Sequence, residues 1–288
     1  MGIVALLAAA TLVTMTPQQK AALLVVSGPT AAPGVGGVLV QRWNLDAPRP
    51  SGTLVYVDQE EGDVRAFREL PPVRPASLFT TAAEAFAAGV ATGRALARAG
   101  VDVDLAPVLD LPDGPLGDRQ FDSPLYAIAF ARGLEAGGVA ACAKHFPGLG
   151  SLPVSTDDRP YVRGVLRERD LTPYREAVEA GVPCVMVGHG VYRAFGPRRA
   201  TLEPPAYRLL RGLGFDGVAI TDSLNVLSSA DPRKWSVDAV RAGADLVLFT
   251  SGRSASIAVH ALIPLARRGE LDEHVLRVLR FHALLGRS

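Results

Sequence analysis

The sequence predicts an α/β chain folded as an irregular (β/α)8 barrel of the TIM type, and three observations predict it. Eight short runs rich in Val, Ile and Leu punctuate the 288 residues. The later runs are separated by helical stretches that end in glycine just before the next run, the alternation of a parallel α/β architecture. Polar residues gather at the C-terminal ends of the runs, at Asp58, Asp110, Lys144, His145, His189 and Asp222. A barrel brings such ends around one mouth, whereas an open doubly wound sheet more often places a glycine-rich phosphate loop after its first strand.

Taken in order, "MGIVALLAAATLVTM" is an apolar opening without Lys or Arg ahead of it and without a clear small-residue cleavage site. Residues 1–15 are therefore expected to form a helix across one end of the barrel, with a signal-like export segment as the alternative. Thr16-Pro17-Gln18-Gln19 combines a capping Thr, Pro at the first helical position and Gln at the third, which starts a short helix. The strand candidates follow within 22–28, 34–40, 52–60, 101–110, 138–145, 182–189, 217–223 and 244–251. Most are apolar throughout and do not alternate, as strands covered on both faces should be. Helices are expected over 82–100 and 171–181. The stretch "GPTAAPGVGG" (28–37) joins two strands and opens no helix, so it is not a phosphate cradle and leaves the first connection too short for a helix. No linker or internal repeat interrupts residues 1–288, which are read as one domain.

Composition narrows the function. Net charge is +1 with both signs interspersed, which leaves no basic stripe for nucleic acid. The opening run is too short and too poorly flanked for a membrane span. The only two cysteines, Cys142 and Cys184, lie inside apolar runs and read as buried free thiols, neither a disulfide nor a metal site. No metal and no cofactor are expected. A cytoplasmic location is expected, with export as the alternative.

Five motifs carry a resemblance: "VDQEEGDV", "VDVDLAPVLDL", "KHFPGLG", "VMVGHGVY" and "GFDGVAITDSLNV", in this order and spacing. Together they resemble the catalytic barrel of glycoside hydrolase family three, nearest to its single-domain β-N-acetylglucosaminidases (β-N-acetylhexosaminidases). The resemblance implies a carbohydrate substrate, hydrolysis of terminal β-linked N-acetylhexosamine by a retaining mechanism, and a link to cell-wall sugars. Such a mechanism needs one carboxylate to attack the anomeric carbon and a second group to protonate the leaving oxygen. Asp222 matches the family's nucleophile; without the resemblance it would read as a turn cap. Asp58 matches the acceptor for sugar hydroxyls, Arg119, Lys144 and His145 match the donors that hold the pyranose, and His189 matches the histidine after its strand.

The departures fall in the same places. Leu149 stands where a second histidine is usual, and the loop that should carry an Asp-Ser-His triplet reads Ser155-Thr156-Asp157 or, two residues on, Asp157-Asp158-Arg159. Neither alignment supplies the acid/base histidine, and Asp157 is the candidate replacement. Free Asp has a pKa of about 3.9, and raising it by about three units costs roughly 4 kcal/mol, so burial or a like-charged neighbour must supply the shift. Asp158 should push upward, Arg159 and solvent downward, so a solvated turn is the competing reading. Glu61, Asp63 and Ala66 replace a glycine and two arginines of the family's sugar-binding strand, with Arg65 beside the last. The competing function is a catalytically impaired barrel that binds amino sugars or cell-wall fragments without efficient turnover. A third, a Schiff-base aldolase on Lys144, rests on a lysine at a strand end alone.

Overall fold

The computed structural model describes residues 3–29, 34–50, 52–159, 161–226 and 231–286. In chain order the helices and strands are α1 (Ile3–Thr14), α2 (Pro17–Leu23), β1 (Val25–Ser27), β2 (Gly37–Val40), β3 (Leu54–Val57), α3 (Ala82–Arg98), β4 (Val103–Asp104), α4 (Pro124–Ala136), β5 (Ala140–Phe146), β6 (Arg163–Gly164), α5 (Glu168–Glu179), β7 (Cys184–Val187), β8 (Val191–Tyr192), α6 (Pro204–Gly212), β9 (Val218–Thr221), α7 (Pro232–Ala242), β10 (Val247–Phe249), α8 (Gly252–Arg267) and α9 (Asp272–Leu284). Eight of the strands form one parallel sheet in the order β10-β1-β2-β3-β4-β5-β7-β9. A parallel bridge from Ile220 to Leu246, just ahead of β10, brings the two edges together and nearly closes the barrel. All eight expected strands are present. The small β6–β8 ribbon was not expected, and at two residues per strand it is too short to leave a periodic signal.

Local chemistry accounts for the entry. Thr16 caps α2 through a reciprocal box, its Oγ1 accepting from the Gln19 amide at 3.2 Å while Gln19 Oε1 accepts from the Thr16 amide at 2.8 Å. Helix α1 packs across α9, with Ala8 buried and Leu6, Leu7 and Val13 exposed. Strands β1, β2 and β3 follow one another with no helix between them among the described residues, which makes the barrel irregular on that side. Part of "GPTAAPGVGG", residues 30–33, lies outside the described residues. From β3 onward helices clothe the sheet, and the strand residues are buried on both faces. No helix among the described residues is long and apolar enough to cross a membrane.

The cysteines correct an expectation. Cys142 and Cys184 are joined by a disulfide, and they stand directly opposite one another in the β5–β7 register with Cα atoms 4.3 Å apart. Forty-two residues separate them in the chain. Only the pairing of neighbouring strands puts both side chains on one face at one level, and apolar flanks could not reveal that register.

Candidate active site

The C-terminal ends of β3, β4, β5, β7 and β9 converge, and each sends polar side chains into one mouth. Strand β5 contributes two in succession. Adjacent residues of a regular strand face opposite ways, yet Lys144 and His145 are 2% and 6% exposed and both serve the site. The β5–β7 register shifts between Ala143 and Phe146, an irregularity of the kind that re-aims side chains.

Lys144 Nζ lies 2.7 Å from Asp58 Oδ1 and 2.5 Å from Glu60 Oε1. Glu60 also accepts from Arg119, Nε at 2.6 Å and Nη2 at 2.9 Å, a two-pronged pair that locks the guanidinium plane. Burial opposes charge on both members, but Lys144 and Arg119 outweigh it and hold Glu60 at about 2. Burial likewise works to lower the Lys144 ammonium's pKa, and Asp58 with Glu60 more than reverses that. A Schiff-base lysine needs the opposite, a depressed pKa, so the geometry argues against the aldolase. Sequence reasoning missed Glu60; its signal was an acid between Asp58 and Glu61 in "DQEE".

His145 Nδ1 meets Asp110 Oδ2 at 2.7 Å, and Asp110 also accepts from the amides of His145 at 3.2 Å and Leu149 at 2.6 Å. Burial disfavours the imidazolium, but Asp110 and then Asp222 raise the His145 pKa above its ordinary value. His189 is differently placed. Its Nε2 lies 2.9 Å from the Ser223 carbonyl and its Nδ1 2.9 Å from Thr201 Oγ1. A carbonyl only accepts, so Nε2 carries the hydrogen and Nδ1 accepts from Thr201. Burial lowers its pKa, and both ring nitrogens are occupied. His189 thus reaches the mouth through Ser223 and its neighbour Asp222.

Asp222 follows β9, with Oδ1 accepting from the Ser223 amide at 2.7 Å. The turn-capping contact and the mouth position therefore coexist. Burial would raise this carboxyl, but His189, His145, the Ser223 amide and Lys144 hold it below its ordinary value. Asp157 lies on the loop after β5, anchored by the buried Ser155 and Thr156. The Asp157 amide donates to Ser155 Oγ at 3.1 Å. Its side chain is 61% exposed, with Oδ2 4.0 Å from Arg119 Nη1. Partial desolvation and then the Asp222 carboxylate raise its pKa; His145, Arg119 and Lys144 oppose. The upward push comes from desolvation and then Asp222, not from Asp158, and the opposition from the mouth's cations, not from Arg159.

A cavity of about 200 Å³ opens beside Asp58, lined among others by Gln41, Trp43 and Arg65. Arg65 donates from Nη1 to the Pro72 carbonyl at 2.9 Å. Glu61 is wholly buried. Larger cavities, of about 410 and 400 Å³, lie at the N-terminal ends of the strands around Gly138 and Pro183, away from these side chains.

A nearly closed parallel barrel whose mouth gathers carboxylates and cations at the strand ends is an architecture that barrel glycosidases share. The comparisons make that particular. Residues 40–281 match the glycosyl hydrolase family 3 N-terminal domain, and the chain belongs to that family. A beta-hexosaminidase of Alkalilimnicola ehrlichii is 35% identical over 277 residues, 81% of this chain and 78% of that one. A family 3 glycosyl hydrolase of Mycobacterium smegmatis superposes with a TM-score of 0.83 at 29% identity, covering 93% of this chain and 97% of its own. A family 3 beta-N-acetylglucosaminidase of Paenibacillus gives a TM-score of 0.84 at 28% identity over 95% of this chain, which spans only 63% of that longer protein.

Proposed function

We propose that this protein hydrolyses terminal β-linked N-acetylhexosamine from its glycosides by a retaining, two-step mechanism, with Asp222 as nucleophile and Asp157 as acid/base. The observation that carries the reading is two carboxyls of different setting at one mouth: Asp222 at the end of β9, held by the Ser223 amide and pushed below its ordinary range by nearby cations, and Asp157 on the loop after β5, raised by desolvation and by Asp222. Pairs driven apart in this way divide into base and acid. In the first step the Asp222 carboxylate attacks the anomeric carbon, the glycosidic bond breaks, and Asp157 gives its proton to the departing oxygen. In the second, Asp157 takes a proton from water as that water displaces Asp222 from the sugar. Asp58 accepts from ring hydroxyls, and Lys144, Arg119 and His145 donate to them. The names of the relatives support the sugar class.

The exposed Asp157 side chain and the nearby Arg119 favour the second reading, an impaired barrel that binds amino sugars with little turnover. One experiment separates the two. Under the acid/base reading, Asp157→Ala loses about 10²–10⁴-fold on an unactivated disaccharide, keeps much of its first-step rate on an aryl N-acetylglucosaminide, and is partly rescued by azide. A change of less than tenfold on both substrates would overturn Asp157. A slow fluorosugar should leave its adduct on the peptide containing Asp222, and an adduct elsewhere would overturn the nucleophile.

A further inference from the structure

Two carboxyls that this mechanism does not use lie within the field of Lys144. Glu61 is 0% exposed, and neither of its carboxyl oxygens has a hydrogen-bond partner. Asp104, the last residue of β4, is also 0% exposed; its Oδ1 accepts from the Gln59 amide at 3.0 Å, and its Oδ2 has no partner. The charged groups facing them are Asp58 and Glu60 from the end of β3 and Lys144 from β5, together with each other. The amides of Glu61 itself and of Val108 lie near enough to favour charge on Glu61 without closing a hydrogen bond.

The charge count decides their state. Asp58 and Glu60 already match Lys144 and Arg119. Among the described residues no cation forms an ion pair with Glu61 or Asp104, and a buried carboxylate without a counterion takes up a proton instead.

We infer that Glu61 and Asp104 form a protonated acid pair, a positioning device that keeps the Lys144 ammonium committed to Asp58 and Glu60. Ionisation of either acid offers Lys144 a competing anion and draws it away from Asp58, the partner that faces the mouth. Burial is the largest cause of the Glu61 shift and Glu60 adds to it, holding that carboxyl at about 8 against the amides and Lys144. Burial, with Glu61 and Asp58, holds Asp104 well above the usual carboxylate range. The neutral pair therefore prevails at and below neutral pH, and the charged form grows as pH rises through that of Glu61.

The pair itself is independent of the proposed activity; its effect on sugar binding rests on that reading. Carboxyl carbon NMR on the sugar-free protein, with resonances assigned by Glu61→Gln and Asp104→Asn, tests the pair directly. Acid-type shifts for both at pH 6, with Glu61 titrating near pH 8, are expected; carboxylate shifts for both at pH 6 would overturn it. The difference infrared band of a protonated carboxyl, lost in either variant, serves if one variant fails to fold. Calorimetry with N-acetylglucosamine should then show affinity falling about tenfold or more between pH 7 and 9.5. Glu61→Gln, neutral at both pH values, should abolish that fall. An equal fall in Glu61→Gln would overturn the positioning role. Acid-type shifts with no sugar binding at any pH would support the pair while overturning the sugar reading.

Discussion

His145 shows how one carboxylate sets the electrostatics of the mouth. Asp110 takes three donors around this residue, so its negative charge is fully directed at holding the imidazolium and the turn beyond it. That imidazolium in turn lowers the pKa of both Asp222 and Asp157. The folded His145 pKa is raised, so its contribution to stability is complete below the unfolded value of about 6.5 and is lost as pH rises through the folded one. Asp110→Asn should lower the His145 pKa, move the acid limb of the kcat/KM profile to higher pH as Asp222 loses a cation, and reduce kcat/KM about 10–100-fold, the worth of a charged hydrogen bond of roughly 1.5–3 kcal/mol. Imidazole NMR titration and a pH–rate profile check it. An unmoved His145 titration would show that Asp110 is a backbone anchor only.

At the scale of elements, α3 and α4 meet across glycines. A Cβ on Gly89 would stand 2.3 Å from the Phe130 carbonyl oxygen, and one on Gly133 would stand 2.4 Å from the Phe86 carbonyl oxygen. Gly93 and Gly137 repeat the contact one turn further along. Here glycine is required by proximity, since backbone atoms leave no room for a methyl group and cannot rotate aside. The two helices precede β4, which leads toward Asp110, and β5, which carries Lys144 and His145. Gly89→Ala gains helix propensity, yet overpacking should outweigh it and destabilise by about 1–3 kcal/mol. A lowered urea midpoint at unchanged slope is the expected result; a raised midpoint would mean that the helices can part without cost.

Over the whole molecule, a buried ion cluster ties the last strand to the surrounding helices. Asp245, 0% exposed and just ahead of β10, meets Arg211 of α6 at 2.5 Å and, from α9, His274 at 2.9 Å and Arg277 at 3.2 Å. Burial would raise this carboxyl, but its His274 hydrogen bond and Arg211 hold it below the ordinary value. Its stabilising effect is therefore present above the unfolded Asp value of about 3.9 and lost as pH falls through the lower folded one. Asp245→Ala leaves Arg211 and Arg277 without their buried partner and should cost about 3–5 kcal/mol at pH 7, with a shallower loss of stability in acid. Denaturant titrations from pH 7 to 2.5 measure both, and an unchanged acid slope would place the linkage elsewhere. The sequence by itself determined where the eight strands fall and the residues at their C-terminal ends, because apolar runs, capping residues and terminal glycines act within a few neighbours along the chain. It also marked where the acid/base loop departs from its family. Tertiary structure alone decided the Cys142–Cys184 bond, the Glu60 clasp on Lys144 and Arg119, the engagement of both His189 nitrogens, and the burial of Glu61 and Asp104 without partners. Each depends on which strands become neighbours and at what register, and on the low dielectric created when the barrel closes. Whether an aspartate in a polar loop meets solvent or the field of Asp222 is fixed by that closure, and residue type carries no trace of it.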